Sequence, residues 1–163
     1  MKELNQACLH QAMGMPHATA LLLSFYLKTG CSFVTNAGHP PPLWYRARLR
    51  KWELLEGQPS NSREVAGLPL GLISDTAYET TSVELEENDL LLLYTDGISE
   101  ATDESGGELG DVRLRDLASR LDAASPLGAG HELLAALEAF RGEAPLRDDE
   151  TLIVLKRVGI AVN

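Results

Sequence analysis

Hydrophobic positions along the chain change their spacing several times, and each change predicts a different element. In ELNQACLHQAM (3–13), Leu4, Cys8 and Gln11, with Ala7 and Ala12, fall at helical intervals, and no capping residue precedes them. A helix is predicted that reads as the tail of a longer one, ended by Gly14-Met15-Pro16. ATALLLSFYL (18–27) is apolar without interruption except for Ser24 and its threonine, which predicts a strand buried on both faces. Lys28-Thr29-Gly30 then turns the chain, and CSFVTN returns as the second arm of a hairpin.

Proline and glycine punctuate the next stretch of chain. NAGHPPPL (36–43) combines Gly38 with three prolines, which forbids regular pairing and predicts a fixed irregular loop. LWYRA and KWELLEG read as two short strands around a basic turn at 46–51, GQPSNSREV (57–65) as a loop and GLPLGL as a rigid connector. Val83 and Leu85 inward with Glu84 and Glu86 outward give a period-two strand. A turn at 86–89 and the leucine run after it predict another hairpin.

Beyond the glycine-rich SGGELG, the pattern becomes helical. DVRLRDLASRL sets Val112, Leu114, Leu117, Ala118 and Leu121 on one face, and a helix at about 130–141 carries Leu133, Leu134, Leu137 and Phe140 as its stripe. TLIVLKRV closes the chain as a β-branched strand. Strands joined mostly by hairpins, then two helices, then a strand describe an α+β layered domain rather than alternating βαβ units.

Composition narrows the functional classes. At 163 residues, with 44% hydrophobic and 23% charged positions, the chain has the make-up of one soluble globular domain with a single core. Its formal charge of −10 would repel phosphate backbones, so nucleic acid is not an expected partner. A phosphorylated substrate would be repelled too, unless metal ions or local arginines reverse the field. Cys8 and Cys31 form neither a CxxC pair nor a disulfide framework, which suits free thiols in a reducing compartment. The early apolar run is too short for a spanning helix and lacks a basic leader, so a cytoplasmic location with no membrane segment is expected.

Two places share one design: an acid at the end of a buried strand. Asp96 follows LLLLYT, and Asp148 and Asp149 precede TLIVL. A carboxylate beside low-dielectric core is costly unless a donor-rich turn, an arginine or a metal meets it. Asp-Gly is also ordinary turn chemistry, and DDE before a strand is commonly a solvated loop. Hard cations such as Mg²⁺ and Mn²⁺ take carboxylate and carbonyl oxygens, so the two acid sites could converge on one ion site. His39, in NAGHP, could bond a phosphate or act as a base, though a proline-fixed loop favours a structural role. His10, His17 and His131 show no metal spacing, and no GxSxG, P-loop or dinucleotide fingerprint is present.

NAGHPPPLW (36–44), GLPLGL (67–72), DLLLLYTDGISEA (89–101) and DDETLIVLK (148–156) occur in an order and spacing that resembles bacterial phosphatases of the stage II sporulation E type, in the metal-dependent, protein phosphatase 2C-like (PPM) superfamily. The resemblance implies an antiparallel β-sandwich flanked by helices (α-β-β-α), with a two-metal Mn²⁺ or Mg²⁺ site where metal-activated water attacks phosphoserine or phosphothreonine. Asp96 and Asp148 match metal-binding aspartates of that family, with Asp149 a neighbour. NAGH and GLPLG match loops that shape the fold and site rather than ligands. No separate catalytic or cofactor-binding residue is assigned.

The family also carries, upstream, a Gly-Asp at a strand end and an Asp-Val-Ser-Gly-His-Gly-type segment that this sequence lacks. The expectation is a single phosphatase domain at 1–158, short of its N-terminal strands and helix, with a tail at 159–163. Such a chain, in isolation, is expected to be inactive or impaired. The implied substrate is a phosphorylated protein regulator of a sigma-factor pathway. Exposed sheet would be covered in a homodimer, in a rearranged fold or by a separately encoded first half. The alternative is a non-catalytic binding or oligomerisation module on the same scaffold.

Overall fold

The computed structural model describes residues 1–10, 17–26, 31–55 and 67–159, and its chain divides into two interleaved units. The first comprises Met1–His39 and Glu56–Leu85, the second Pro40–Leu55 and Glu86–Asn163. The predicted break at 14–16, the turn at 28–30, the loop at 57–65 and residues 160–163 of the tail lie outside the described residues.

In the first unit, α1 (Lys2–His10) accompanies a three-stranded antiparallel sheet of β1 (Ala20–Phe25), β2 (Cys31–Ala37) and β5 (Thr80–Glu84), in the order β1-β2-β5. The β1–β2 pairing is the expected hairpin, in register from Ala20 opposite Ala37 to Phe25 opposite Ser32. β1 is not buried on both faces. It is the edge of its sheet, and Leu22, Phe25 and Tyr26 are exposed. An unbroken apolar run reports apolar character but not the number of neighbours a strand acquires.

The face that α1 buries also differs from its apolar stripe. Leu4 is exposed, whereas Asn5 is buried. Its Oδ1 accepts from Gly71 N (2.8 Å) and the Tyr78 hydroxyl (3.2 Å), while Nδ2 donates to the Ile73 carbonyl (2.9 Å). A buried amide is stable there because its hydrogen-bonding capacity is used. Cys8 and Cys31 are both half-buried. The two proline-glycine loops pack on each other: Gly38 has φ +70°, and a Cβ at that position would lie 2.7 Å from the Pro69 ring.

The second unit is a four-stranded antiparallel sheet in the order β4-β3-β6-β7, from β3 (Leu43–Arg46), β4 (Lys51–Leu54), β6 (Leu90–Tyr94) and β7 (Leu152–Lys156), with helices α2 (Asp96–Ser99), α3 (Gly110–Ala118) and α4 (Pro126–Arg141). The core forms where Leu90, Leu92 and Tyr94 of β6 meet Leu114 and Ala118 of α3 and Leu133 and Leu137 of α4. Leu91, on the opposite face of β6, is buried as well. Here the leucine run does what its composition allows, because β6 has a paired neighbour on each side.

Helix α4 starts a turn before the apolar stripe. Ser125 caps it, its Oγ accepting from Gly128 N at 3.2 Å, and Pro126 occupies the first turn, where its missing N–H matters least. Val112 and Leu134, assigned by spacing to buried faces, are exposed. The described strands number seven, six before helices α2–α4 and one after.

The predicted hairpin of β5 with β6 does not form. Its turn exists, with Asp89 N donating to the Glu86 carbonyl, but β5 pairs with β2 while β6 pairs with β3 and β7. Asp89 explains the separation. Its buried carboxylate accepts from Glu86 N (3.0 Å) and Trp44 Nε1 (3.0 Å) on Oδ2, and from Ala47 N (2.8 Å) on Oδ1. The acid thus locks the start of β6 to β3 rather than back onto β5.

Two substitutions test these roles. Asp89→Asn replaces an acceptor by a donor that faces N–H groups, and should lower stability by about 2–3 kcal/mol, read as a lower urea midpoint at unchanged slope. Tyr94 is buried, and its hydroxyl has no hydrogen-bond partner among the described residues. Tyr94→Phe should therefore be neutral or stabilising by about 1 kcal/mol. Burial, reinforced by Asp111, pushes the Tyr94 hydroxyl up in pKa. The folded chain then keeps a proton that the unfolded chain loses, so stability should fall as pH rises above about 10, less steeply in Tyr94→Phe.

Candidate metal centre

Antiparallel pairing of β6 with β7 ends at Tyr94 opposite Leu152, so the residues after Tyr94 and those before Leu152 emerge at the same end of one sheet. Beyond the strands the contact continues through Thr95. Its N donates to the Thr151 carbonyl (3.1 Å), its Oγ1 accepts from Thr151 N (2.9 Å), and the same hydroxyl donates to the Asp149 carbonyl (3.0 Å). Gly97 completes the approach. A Cβ there would stand 2.5 Å from the Asp149 carbonyl oxygen, closer than real side chains come, so this residue must be glycine for the two turns to touch.

Asp96 and Asp148 are carried on these touching turns. Asp96 opens α2, its Oδ1 accepting from Gly97 N at 3.1 Å, and Asp148 Oδ1 accepts from Asp149 N at 2.8 Å. Both side chains are exposed. The expectation that Asp96 would be a carboxylate pressed against low-dielectric core is therefore corrected: the strand is buried, but the chain turns into α2 and presents the acid to solvent. Asp-Gly is the opening of a short helix rather than a bare turn.

Asp148 also walls a cavity of about 210 Å³ together with Gly97, Glu100, Thr102, Glu108 and Arg147, among others, whereas Asp96 lies outside that wall. Behind it Arg141, at the end of α4, is ion-paired with Glu150, and both are largely buried. A neighbouring loop is held by Asp103, whose Oδ1 accepts from the Ser105 hydroxyl, Ser105 N and Gly107 N. The Ser105 hydroxyl, foremost, holds the Asp103 carboxyl below its usual range.

No cluster of three or more His, Cys, Asp and Glu side chains stands ready to hold a metal among the described residues. The donors present are carboxylate and carbonyl oxygens, the kind that hard divalent cations take. His39 belongs to the first unit and is built into its loop: its N donates to Asn36 Oδ1 and its carbonyl accepts from Asn36 Nδ2, both at 2.8 Å, with Nδ1 3.3 Å from Thr19 Oγ1. The sequence singled out the two aspartates but gave no role to Thr95 or Arg147 and read Gly97 only as a turn former. Each is the immediate neighbour of an aspartate in YTDG or RDD, and that adjacency was the available signal.

No helix among the described residues is long and apolar enough to cross a membrane. A family model, stage II sporulation protein E (SpoIIE), matches residues 1–158. The phosphoserine phosphatase RsbU of Bacillus subtilis (strain 168) is 30% identical over 124 residues, covering 75% of this chain and 33% of RsbU. Among solved structures, the RsbU and RsbW domains of Rv1364c from Mycobacterium tuberculosis align with a TM-score of 0.73 at 26% identity, over 94% of this chain and 40% of that one. The manganese-presoaked SpoIIE phosphatase domain from Bacillus subtilis aligns with a TM-score of 0.65 at 23% identity, over 87% of this chain and 57% of that one. The chain thus spans about a third of the length of its curated relative RsbU. Two antiparallel sheets with helices, the matching family model and these relatives together make the chain a member of the SpoIIE family, with the PP2C-like phosphatase fold.

Proposed function

We propose that the chain forms part of a metal-dependent protein serine/threonine phosphatase, in which Asp96 and Asp148 would hold Mn²⁺ or Mg²⁺. The observation that carries this reading is the contact between the Asp96 and Asp148 turns, fixed by Thr95 and permitted by Gly97. Rigid strands behind both turns limit the entropy lost when two exposed carboxylates share a cation. When bound, the ions would activate water for hydrolysis of a phosphomonoester and neutralise charge on its oxygens. The substrate is read as a phosphoserine or phosphothreonine of a small regulatory protein, supported by the phosphoserine phosphatase relative. The region 1–158 is read as belonging to one such phosphatase domain, supported by the extent of the family match.

The second reading is a binding or oligomerisation module on the same scaffold, including a homodimer. It draws on the missing third ligand among the described residues. Turnover of p-nitrophenyl phosphate tests the first reading. Hydrolysis that requires Mn²⁺ and disappears in Asp96→Asn supports the phosphatase; no turnover means either a scaffold or a phosphatase part that needs ligands from elsewhere.

Metal binding is measurable without activity. Mn²⁺ at a hundredfold excess over its Kd should stabilise the fold by about 2.7 kcal/mol, raising the melting temperature. Asp96→Asn or Asp148→Asn should each remove most of that shift, and a full shift in either variant would take that aspartate out of the site. Gly97→Ala should weaken the metal response while leaving both carboxylates in place, because its methyl forces the turns apart; an unaltered response would mean that the contact does not set the ligand geometry.

A further inference from the structure

Between α4 and β7 the chain runs from Glu143 to Thr151 without regular structure, and Arg147 stands where this segment borders two hollows. One is the 210 Å³ cavity walled by Asp148; the other lies on the side of the Asp103–Gly106 loop, and Pro145 and Arg147 are common to both. The two arginines of the first cavity differ in state. Arg141 is neutralised by Glu150, whereas Arg147 is exposed and makes no hydrogen bond or ion pair with any described residue.

The remaining charged residues of the wall are mostly acidic. With Arg141 and Glu150 cancelling, three acids, Glu100, Glu108 and Asp148, remain against the single charge of Arg147. A phosphate dianion would meet net repulsion in this cavity until a cation sat at Asp148. A guanidinium, in contrast to an ammonium, can then offer two parallel N–H donors to two phosphoryl oxygens, which fixes orientation as well as charge. We propose that Arg147 is a phosphate-orienting residue, gripping the phosphoryl group of the substrate beside Asp148, and that its grip depends on the divalent cation. This assignment rests on the metal-dependent phosphatase reading above. It names a residue for substrate recognition that the aspartates cannot supply, since they repel the substrate they act on.

Coupling of this kind is reciprocal: phosphate should tighten the cation by the same factor that the cation tightens phosphate. Titration calorimetry with inorganic phosphate, on the whole chain with saturating Mg²⁺ and again with EDTA, tests it. Binding is expected with Mg²⁺ and at least tenfold weaker in EDTA. Arg147→Gln should weaken phosphate binding about tenfold or more in Mg²⁺, Arg147→Lys should recover part of that loss, and both should keep the wild-type melting temperature and Mg²⁺ affinity. A structural role for Arg147 would instead lower the melting temperature and be indifferent to phosphate. If Mg²⁺ binds and phosphate affinity is unchanged in Arg147→Gln, or phosphate fails to bind the wild type, the assignment of Arg147 is overturned while the metal site survives. If Mg²⁺ itself does not bind, the metal reading falls and takes this assignment with it.

Discussion

The pairing of β6 with β7 is the constraint on which the site depends. One ladder of backbone hydrogen bonds buries the leucines of β6 and sets the exit points of two distant stretches of sequence side by side. Thr95 extends that ladder by one side chain, replacing a backbone partner where the strands end. Because the core side of β6 is packed against α3 and α4, small displacements at its end are resisted by the whole second unit. The placement of the turns is an outgrowth of packing: a buried hydrophobic strand sets them side by side.

Two aspartates bracket that same strand and meet opposite fates. Asp89, just before it, is buried, and three N–H groups converge on its side-chain oxygens. The carboxylate of Asp96, just beyond its end, receives only its neighbour's N–H among the described residues and faces water. The first holds the fold, and the second is left with free lone pairs. An acid next to a run of leucines can therefore be either an anchor or an available ligand, and what distinguishes them is the number of donors that tertiary structure brings.

Legibility in the sequence tracked that distinction. Asp96 and Asp148 were singled out because their motifs stand in family order, and β6, β7 and the β1–β2 and β3–β4 pairings were readable because period and turn chemistry are local. The edge position of β1 and the parting of β5 from β6 were not, since both are decided by which strands meet across long separations. Similarly, Asn5 looks like an interruption in a helical stripe until Gly71, Ile73 and Tyr78 arrive to satisfy it. Gly97 was visible as a turn former, but its intolerance of a methyl group arises from Asp149, more than fifty residues away.

The interleaving of the two units bears on how the molecule can be made. Residues 40–55 supply half of the second sheet, yet their strand partner β6 begins only at Leu90 and β7 only at Leu152. A ribosome releasing the chain from its N-terminus exposes the β3–β4 hairpin well before its partner β6 exists, and β7 is the strand that closes the sheet beside β6. Neither unit is a contiguous piece of sequence, so no single cut liberates one whole. The aspartate turns come together only after β7 has been made, more than fifty residues beyond Asp96, which makes the site a product of long-range pairing rather than of a local module.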